Sequence, residues 1–221
     1  MRDFEEIHAA AADQHGGAVA LEAHLSTPLT QTELCATTDD RWLSAMAKFL
    51  FQAGFNWKVI EAKWAGTEAA FEAFNPARVA AYRGEDINWL LSDKRIVRNG
   101  AKVMAIIDNA HFIQELASEH GSAGTFFSRW PNDSYTDLLA ILNKRGARLG
   151  SVAGQRVLRM MGRDSFILSK DVVVRLAAEG VVDQQPTSKR DLAATQHAFN
   201  HWSAQSGRGL TQVSQILALS V

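Results

Sequence analysis

The sequence predicts an all-α fold of about ten helices, and three observations indicate this class. Apolar residues recur every three or four positions through most of the 221 residues. Residues that commonly start helices and glycines that commonly end them recur along the chain. No strand-like alternation is sustained, because even the β-branched run at 172–174 lies between charged residues in helical register.

The first half of the chain is predicted to form a succession of helices. Residues 3–25 are helical in pattern with an interruption by two glycines, and the segment 27–38 holds only a short helix. The acidic pair at 39–40 is expected to cap a helix that runs to Gly54, because carboxylates are favourable at a helix N-terminus. Further helices are predicted to start at Trp57, at the Asn75-Pro76 pair, at Asp86 and at Asn99, the last of them ending at Gly121.

The second half is organised around residues 144–176, which are predicted to form a helix end, a tight turn, a second helix, a short connection and a third helix. Gly146 and Gly150 are expected to supply unusual backbone angles to the turn. Ser134 is expected to cap the helix that enters this stretch. Two later helices are predicted to start at 186–188 and at Thr211, which is expected to cap the last one.

The chain has no repeat of fixed period, no low-complexity segment and no linker rich in Gly, Ser or Pro. The prediction is therefore a single all-α unit over residues 1–221. Its core is expected at 38–185, with the terminal helices of 1–37 and 186–221 packed on that core.

Charge is divided unevenly along the chain, although the formal net charge is only −1 at pH 7. Residues 1–40 hold eight acidic residues against one arginine. Residues 144–176 hold eight Lys and Arg against two Asp. A hairpin between helices that carries backbone N–H groups and this surplus of positive charge suits a phosphate backbone. The alternative interpretation is a set of solvated cations at a helix end.

Several classes of protein are disfavoured by composition. Cys35 is the only cysteine, so an internal disulfide and a multi-cysteine zinc site are excluded, and a reducing compartment is expected. No run of about 18 apolar residues could form a membrane span, and the acidic start does not resemble a signal peptide. His197 and His201 have i, i+4 spacing but no accompanying glutamate or cysteine, so surface or packing roles are predicted. The expectation is a cytoplasmic protein without metal.

Five short motifs then follow one another across the middle two thirds of the chain. They are Gln52-Ala53-Gly54-Phe55-Asn56-Trp57, Phe74-Asn75-Pro76-Ala77-Arg78-Val79-Ala80, Ile96-Val97-Arg98-Asn99-Gly100-Ala101-Lys102, Ile106-Ile107-Asp108-Asn109-Ala110 and Lys144-Arg145-Gly146. In this order they resemble the DNA-3-methyladenine glycosylase I family of the helix-hairpin-helix DNA glycosylase superfamily. The resemblance implies a monofunctional base-excision enzyme, monomeric and without cofactor. Such an enzyme flips an alkylated purine out of double-stranded DNA and hydrolyses its N-glycosidic bond, leaving an abasic site.

The resemblance also implies site residues. A flipped base needs an aromatic pocket and a grip on the flanking backbone. Trp57 is expected to stack on the base, and cation–π attraction to a cationic N3-alkylated adenine is worth about 1–2 kcal/mol when desolvated. The expected pocket also includes Phe49, Phe55 and Gln52, and the expected backbone grip comprises Lys144, Arg145, Gly146, Arg148 and Gly150. The alternatives are that Trp57 is a core aromatic and that Phe49 merely packs with its helical neighbours.

Two departures from the family pattern affect these expectations. The structural zinc of the family is held by two cysteines and two histidines, which this sequence cannot supply. Phe49 occupies the position of the family's base-recognising glutamate. Either this phenylalanine broadens the pocket by adding a stacking surface, or catalysis has been lost.

Asp171 is the leading catalytic candidate. In the wider superfamily, a catalytic aspartate follows the hairpin by about twenty residues at the start of a helix, and Asp171 lies 21 residues after Gly150. A carboxylate there would orient water or stabilise the sugar cation. Two alternatives stand beside it: Asp171 only completes a helix N-terminus behind Ser169, or Ser169 itself occupies the catalytic position.

Two other functions compete with the glycosylase. The first is a DNA-binding protein that recognises damaged or distorted DNA without cutting it. The second is a helical interaction protein whose basic face meets an acidic partner.

Overall fold

The structure, a computed structural model, describes residues 1–150 and 152–221. Regular structure in these residues is entirely helical, which confirms the predicted all-α class. The α-helices are α1 (Phe4–Gln14), α2 (Ala18–Glu22), α3 (Gln31–Cys35), α4 (Asp39–Gln52), α5 (Trp57–Ala70), α6 (Pro76–Ala80), α7 (Gly84–Ser92), α8 (Gly100–His120), α9 (Ala123–Arg129), α10 (Tyr135–Arg145), α11 (Val152–Met160), α12 (Lys170–Ala178), α13 (Lys189–Ser206) and α14 (Leu210–Leu219). Within the described ranges there are more helices than the ten or so predicted. Three of them have only five residues and are too short to show a 3.6-residue period.

The described chain divides into two compact units. The first comprises residues 1–29, 130–140 and 154–221, and the second comprises residues 30–129 and 141–153. Helices α10 and α11 each contribute residues to both units. The organisation of the whole chain as one unit stays a prediction.

The first unit is built around stacked aromatic rings. Phe166 stacks on Phe199 with 4.2 Å between ring centroids, and Tyr135 meets Phe166 edge-on at 4.6 Å. The predicted cap of α14 by Thr211 is wrong, because the Asp164 carboxylate accepts the backbone N–H groups of Leu210 and Thr211 at 3.1 and 2.8 Å. The Thr211 hydroxyl instead accepts a hydrogen bond from the Ser165 backbone. The carboxylate of Asp164, which is distant in the sequence, thus replaces the predicted local cap.

The second unit is organised around α8, the longest helix in the described chain, which packs against α4, α6, α7 and α9. The predicted cap of α4 by its acidic pair is also wrong. Thr38 is the N-cap residue of α4, while Asp39 lies in the first turn and its carboxylate accepts the Ala123 N–H at 2.8 Å. Asp39 therefore satisfies the start of α9 rather than that of its own helix.

Other predicted helix ends are confirmed. Asn75 caps α6 through two backbone N–H groups, with Pro76 as the first helical residue. Gly121 ends α8 with a φ of 88°, and Ser188 caps α13 by accepting the Asp191 N–H. No described helix combines the length and the apolar character that crossing a membrane requires.

Candidate functional site

The aromatic turn, defined as residues 53–57, connects α4 to α5. Gly54 has a φ of 75°, a left-handed conformation that favours glycine. The Asn56 side chain accepts the Lys58 N–H at 3.0 Å and caps α5. This cap makes Trp57 the first residue of α5, so the position of its ring follows from the geometry of the turn.

Both aromatic side chains of the turn face solvent. Trp57 is 59% exposed and Phe55 is 47% exposed. The core interpretation of Trp57 is therefore wrong: the chain reverses at Gly54 and leaves the indole on the surface. The Lys58 ammonium lies 5.9 Å from the centroid of the Trp57 ring. The ring is thus accessible to a planar ligand and already attracts a cation.

Phe49 and Gln52 lie in the last turns of α4. Phe49 is half-buried, whereas Trp42 and Met46 on the same stripe are fully buried. The Gln52 amide donates to the Glu61 carboxylate at 3.3 Å, and Lys48 binds the same carboxylate at 2.9 Å. Phe49 is therefore at the edge of the core, and Gln52 is held by an adjacent helix.

Lys102 is a buried cation that the sequence analysis did not single out. It lies in the first turn of α8 and is 8% exposed. Its ammonium donates to the carbonyl oxygens of Ala53 at 2.6 Å and Phe51 at 3.3 Å, and it lies 4.7 Å from the Phe55 ring centroid. Burial, followed by the charge of Arg148, lowers the pKa of this ammonium. The signal was present in the sequence, because a lysine in the first turn of a helix is locally unfavourable.

The hairpin turn, residues 146–150, differs from the prediction in its backbone. Neither Gly146 nor Gly150 has a left-handed φ; the residue that does is Arg148, at 59°. The expectation of unusual angles at these two glycines is wrong. Gly146 is needed for close packing, since a Cβ there would lie 2.7 Å from a Leu149 methyl carbon and 2.8 Å from the Leu142 oxygen.

Asn109 of α8 binds the hairpin turn and was not predicted as a site residue. Its side chain is fully buried. The amide oxygen accepts the Ala147 N–H at 2.8 Å, and the amide nitrogen donates to the Ala147 carbonyl at 3.1 Å. The sequence did contain a signal for this role: Asn109 is a polar residue on the helix face that also carries the buried Ile106 and Ile113.

The three hairpin cations have different surroundings. Lys144 and Arg148 are exposed, and neither forms an ion pair with another residue that the structure describes. Arg145 binds Glu119 at 2.8 Å and Glu115 at 3.0 Å, both on α8. The hydrogen bond from Arg145 lowers the pKa of Glu119. Arg145 thus connects the end of α10 to α8 through ion pairs, whereas the charged side chains of Lys144 and Arg148 are exposed to solvent.

Asp171 belongs to the first unit and lies in the first turn of α12. It is exposed. Ser169 is the N-cap residue, and its hydroxyl accepts the Val172 N–H at 3.3 Å. The local geometry therefore agrees with an acidic residue behind a serine cap, and the catalytic role stays a prediction.

The side chains that could bind a metal ion are scattered over the described chain. In the ranges 1–150 and 152–221, no group of three or more His, Cys, Asp and Glu residues is arranged to hold a metal ion. Cys35 is half-buried, with its sulfur 3.5 Å from the Thr125 hydroxyl. The residues of this chain do not fit the cysteine and histidine set of the family zinc.

Comparison with known proteins decides the family. A family model described as methyladenine glycosylase matches residues 35–146, which is more than half of the chain. The chain belongs to the methyladenine glycosylase family. The matched segment contains the aromatic turn, all of α8 and the first residue of the hairpin turn, so the resemblance inferred from the five motifs is confirmed.

Individual relatives are more distant. DNA-3-methyladenine glycosylase 1 of Escherichia coli (strain K12) is 41% identical over 59 residues, which are 27% of this chain and 32% of that protein. The match therefore spans about a third of that curated relative. A crystal structure of 3-methyladenine DNA glycosylase I is 22% identical with a TM-score of 0.50, covering 66% of this chain and 87% of the other. The Staphylococcus aureus enzyme is 23% identical with a TM-score of 0.51, covering 69% and 91%. These structural similarities establish the shared fold.

Proposed function

We propose that this protein is a DNA glycosylase of base excision repair that removes alkylated purines of the 3-methyladenine type. The observation that carries the proposal is Trp57, a highly exposed indole held at a capped helix start within the family-matched segment. A solved relative is a 3-methyladenine DNA glycosylase I in complex with 3-methyladenine; it is 23% identical, and its TM-score is 0.52. An exposed tryptophan with a fixed position is suited to stack on a base that has been flipped out of the DNA duplex.

The base is bound between aromatic rings. Trp57 stacks on the purine, with Phe55 and Phe49 beside it and Gln52 at the rim. The Lys58 ammonium lies over the indole, which supports an affinity of this ring for cations. Positive charge is the property that distinguishes an N3-alkylated adenine from a normal base. Lys58 moves away when the base arrives.

The hairpin grips the DNA backbone. Lys144 and Arg148 bind phosphates, since their charges are not compensated by carboxylates among the described residues. Gly146 lets the turn close tightly, Gly150 lies at its end, and Arg145 holds the turn against α8. Contacts of this kind position the duplex without reading its sequence.

The chemical step is hydrolysis. An alkylated purine is a good leaving group, so selective binding and a positioned water supply most of the rate. Water adds to the sugar carbon as the N-glycosidic bond breaks, and an abasic site and the free base are formed. Asp171 is proposed to stabilise the positive charge on the sugar or to orient this water.

Two further features belong to the proposal. The protein acts as a monomer on double-stranded DNA, in line with the resemblance that its motifs carry. The single free thiol of Cys35 supports a reducing compartment, and the cytoplasm is the proposed location.

A second candidate function rests on Phe49. This residue occupies the position of the family's base-recognising glutamate, and its ring is half-buried at the end of α4. In this second candidate function, the protein binds a damaged or distorted site by stacking but does not cleave the bond.

One assay distinguishes the two candidates. Purified protein is incubated with methylated duplex DNA, and released 3-methyladenine and abasic sites are measured. Release supports the glycosylase. Salt-dependent binding without release supports the non-catalytic protein, and absence of binding at low salt contradicts both.

A further inference from the structure

Gln52 is the residue of the proposed pocket that carries a side-chain amide. The other three residues, Phe49, Phe55 and Trp57, present aromatic rings. An amide has an acceptor oxygen and two donor N–H groups, so it can bind either a donor or an acceptor of a base. Which group faces a bound base depends on the partner that holds the other group. The orientation of this amide therefore bears on which purine the pocket accepts.

Glu61 of α5 fixes this orientation. The Gln52 amide nitrogen donates to one oxygen of the Glu61 carboxylate at 3.3 Å, and the Lys48 ammonium binds the other oxygen at 2.9 Å. A carboxylate accepts hydrogen bonds, so it binds the nitrogen of the amide and not its oxygen. The side-chain oxygen of Gln52 accepts no hydrogen bond from any residue in the described part of the chain. Glu61 thus leaves Gln52 with an available acceptor.

Lys48 holds the carboxylate from the helix that also carries Gln52. The two residues are spaced i, i+4 on α4, so their side chains extend from the same face of that helix, and both bind Glu61. The Lys48 ammonium also lies 5.4 Å from the centroid of the Trp64 ring on α5. Contacts from two helices therefore hold the carboxylate that orients the amide.

The same carboxylate places the amide beside the stacking residue. Trp57 and Glu61 are spaced i, i+4 on α5, so their side chains are neighbours on one face of the helix. Because the Gln52 amide binds Glu61, it lies about one helical turn from the exposed indole. A purine that stacks on Trp57 therefore has an edge beside this amide.

We propose that the side-chain oxygen of Gln52, oriented by Glu61, determines specificity for adenine: it accepts a hydrogen bond from the exocyclic amino group and rejects a purine that carries an oxygen at that position. Adenine presents a donor at this position, whereas guanine presents an acceptor. Two acceptors that face each other leave both without a partner, which is costly in a pocket that excludes water. This inference deepens the proposed function and rests on the stacking of a base on Trp57.

Binding of free bases, measured by calorimetry, tests the inference without any need for catalysis. The probes are 3-methyladenine and 3-methylhypoxanthine, in which an oxygen replaces the exocyclic amino group. The wild type is expected to bind 3-methyladenine about tenfold more tightly, which is the change expected for one net hydrogen bond. Gln52→Met, which keeps a side chain of similar length without an amide, is expected to bind the two bases equally.

Two further variants isolate the effect. Glu61→Gln replaces a carboxylate that only accepts with an amide that also donates, so the Gln52 amide can turn over and part of the preference is expected to be lost. Glu61 does not itself contact the base in this proposal, so affinity for 3-methyladenine should fall less than in Gln52→Met. Gln114→Met is the matched control, because Gln114 is an exposed residue of α8, and it should keep the wild-type preference.

The possible outcomes separate the inference from the proposed function. An unchanged preference in Gln52→Met overturns the inference while base binding stands. A wild-type preference that is lost in Gln52→Met supports the inference even if the protein releases no base from methylated DNA, a result that contradicts only the proposed catalysis. A wild type that binds both bases equally, or neither of them, overturns the inference, and release of 3-methyladenine by that same protein would leave the proposed function standing.

Discussion

The side-chain amide of Asn109 forms two hydrogen bonds with the backbone of Ala147, one in each direction. These two hydrogen bonds replace the ones that the backbone of a turn residue would otherwise form with water. The same helix carries Lys102 seven residues earlier, and Glu115 and Glu119 further on, so α8 contacts the aromatic turn, the hairpin turn and Arg145 in succession. Helix α8 thus holds the two proposed DNA-contacting turns in one unit.

Asn109→Ala is expected to lower the free energy of unfolding by about 1–3 kcal/mol, because the N–H and the carbonyl of the half-buried Ala147 lose their partners. Urea denaturation measures this change. DNA affinity should fall as well, since the hairpin turn loses its anchor. Asn88→Ala is the control, because Asn88 is an exposed residue of α7 and makes no hydrogen bond to a described residue. Equal stability of the two variants would contradict the anchoring role.

Trp57→Ala is expected to abolish base excision with a change in unfolding free energy of less than about 1 kcal/mol, since the indole is largely exposed and packs little. Single-turnover release of 3-methyladenine from methylated DNA gives the rate, and thermal unfolding gives the stability. Trp57→Phe should retain part of the activity because a smaller ring still stacks. Full activity of Trp57→Ala would exclude the stacking role.

Arg148→Ala is expected to weaken binding of any duplex and to reduce the slope of log affinity against log salt by about one. Arg145→Ala should change that slope less, because its guanidinium is paired with Glu115 and Glu119, and should mainly loosen the end of α10. Titrations at several salt concentrations compare the two variants. A larger loss of slope in Arg145→Ala would reverse the assignment.

Asp171→Asn is expected to slow excision by about 100-fold while leaving DNA affinity and folding intact, since removal of one electrostatic stabiliser of a transition state has an effect of this order. Single-turnover rates at saturating enzyme give the comparison. Asp183→Asn, a change at another exposed aspartate of the first unit, is the control. Unchanged excision by folded Asp171→Asn would leave Asp171 as an ordinary residue of a helix start.

Stability is expected to fall in acid because of Glu68. Burial alone would raise the pKa of this carboxyl, but hydrogen bonds from Arg41 and Ser44 outweigh it and hold the pKa below its usual value. A carboxyl with a depressed pKa in the folded state stabilises the protein above its unfolded pKa, and this stability is lost as pH falls through the folded pKa. Unfolding free energies measured from neutral pH downward should therefore decline below the usual glutamate pKa. In Glu68→Gln the decline should be smaller, and an identical decline would refute the assignment.

The helical class and most helix starts could be predicted from local patterns, because a 3.6-residue apolar period and a side-chain cap both involve residues that are close together in the sequence. The prediction was wrong at Asp39 and Thr211, where a local cap was expected. In both places a partner distant in the sequence competes for the same group: Asp39 reaches Ala123, and Asp164 reaches Thr211. Single-sequence reasoning has no access to such partners.

The sequence by itself also determined the family, through motifs whose order is specific, and it located the aromatic turn and the basic hairpin. Only the tertiary structure decided that Trp57 lies on the surface and that Lys102 and Asn109 hold the two turns. It also decided that, among the described residues, Arg145 has carboxylate partners and Arg148 has none. The physical reason is the same in each case. Exposure, ion pairing and buried hydrogen bonds depend on residues that are far apart in the chain and close together in space.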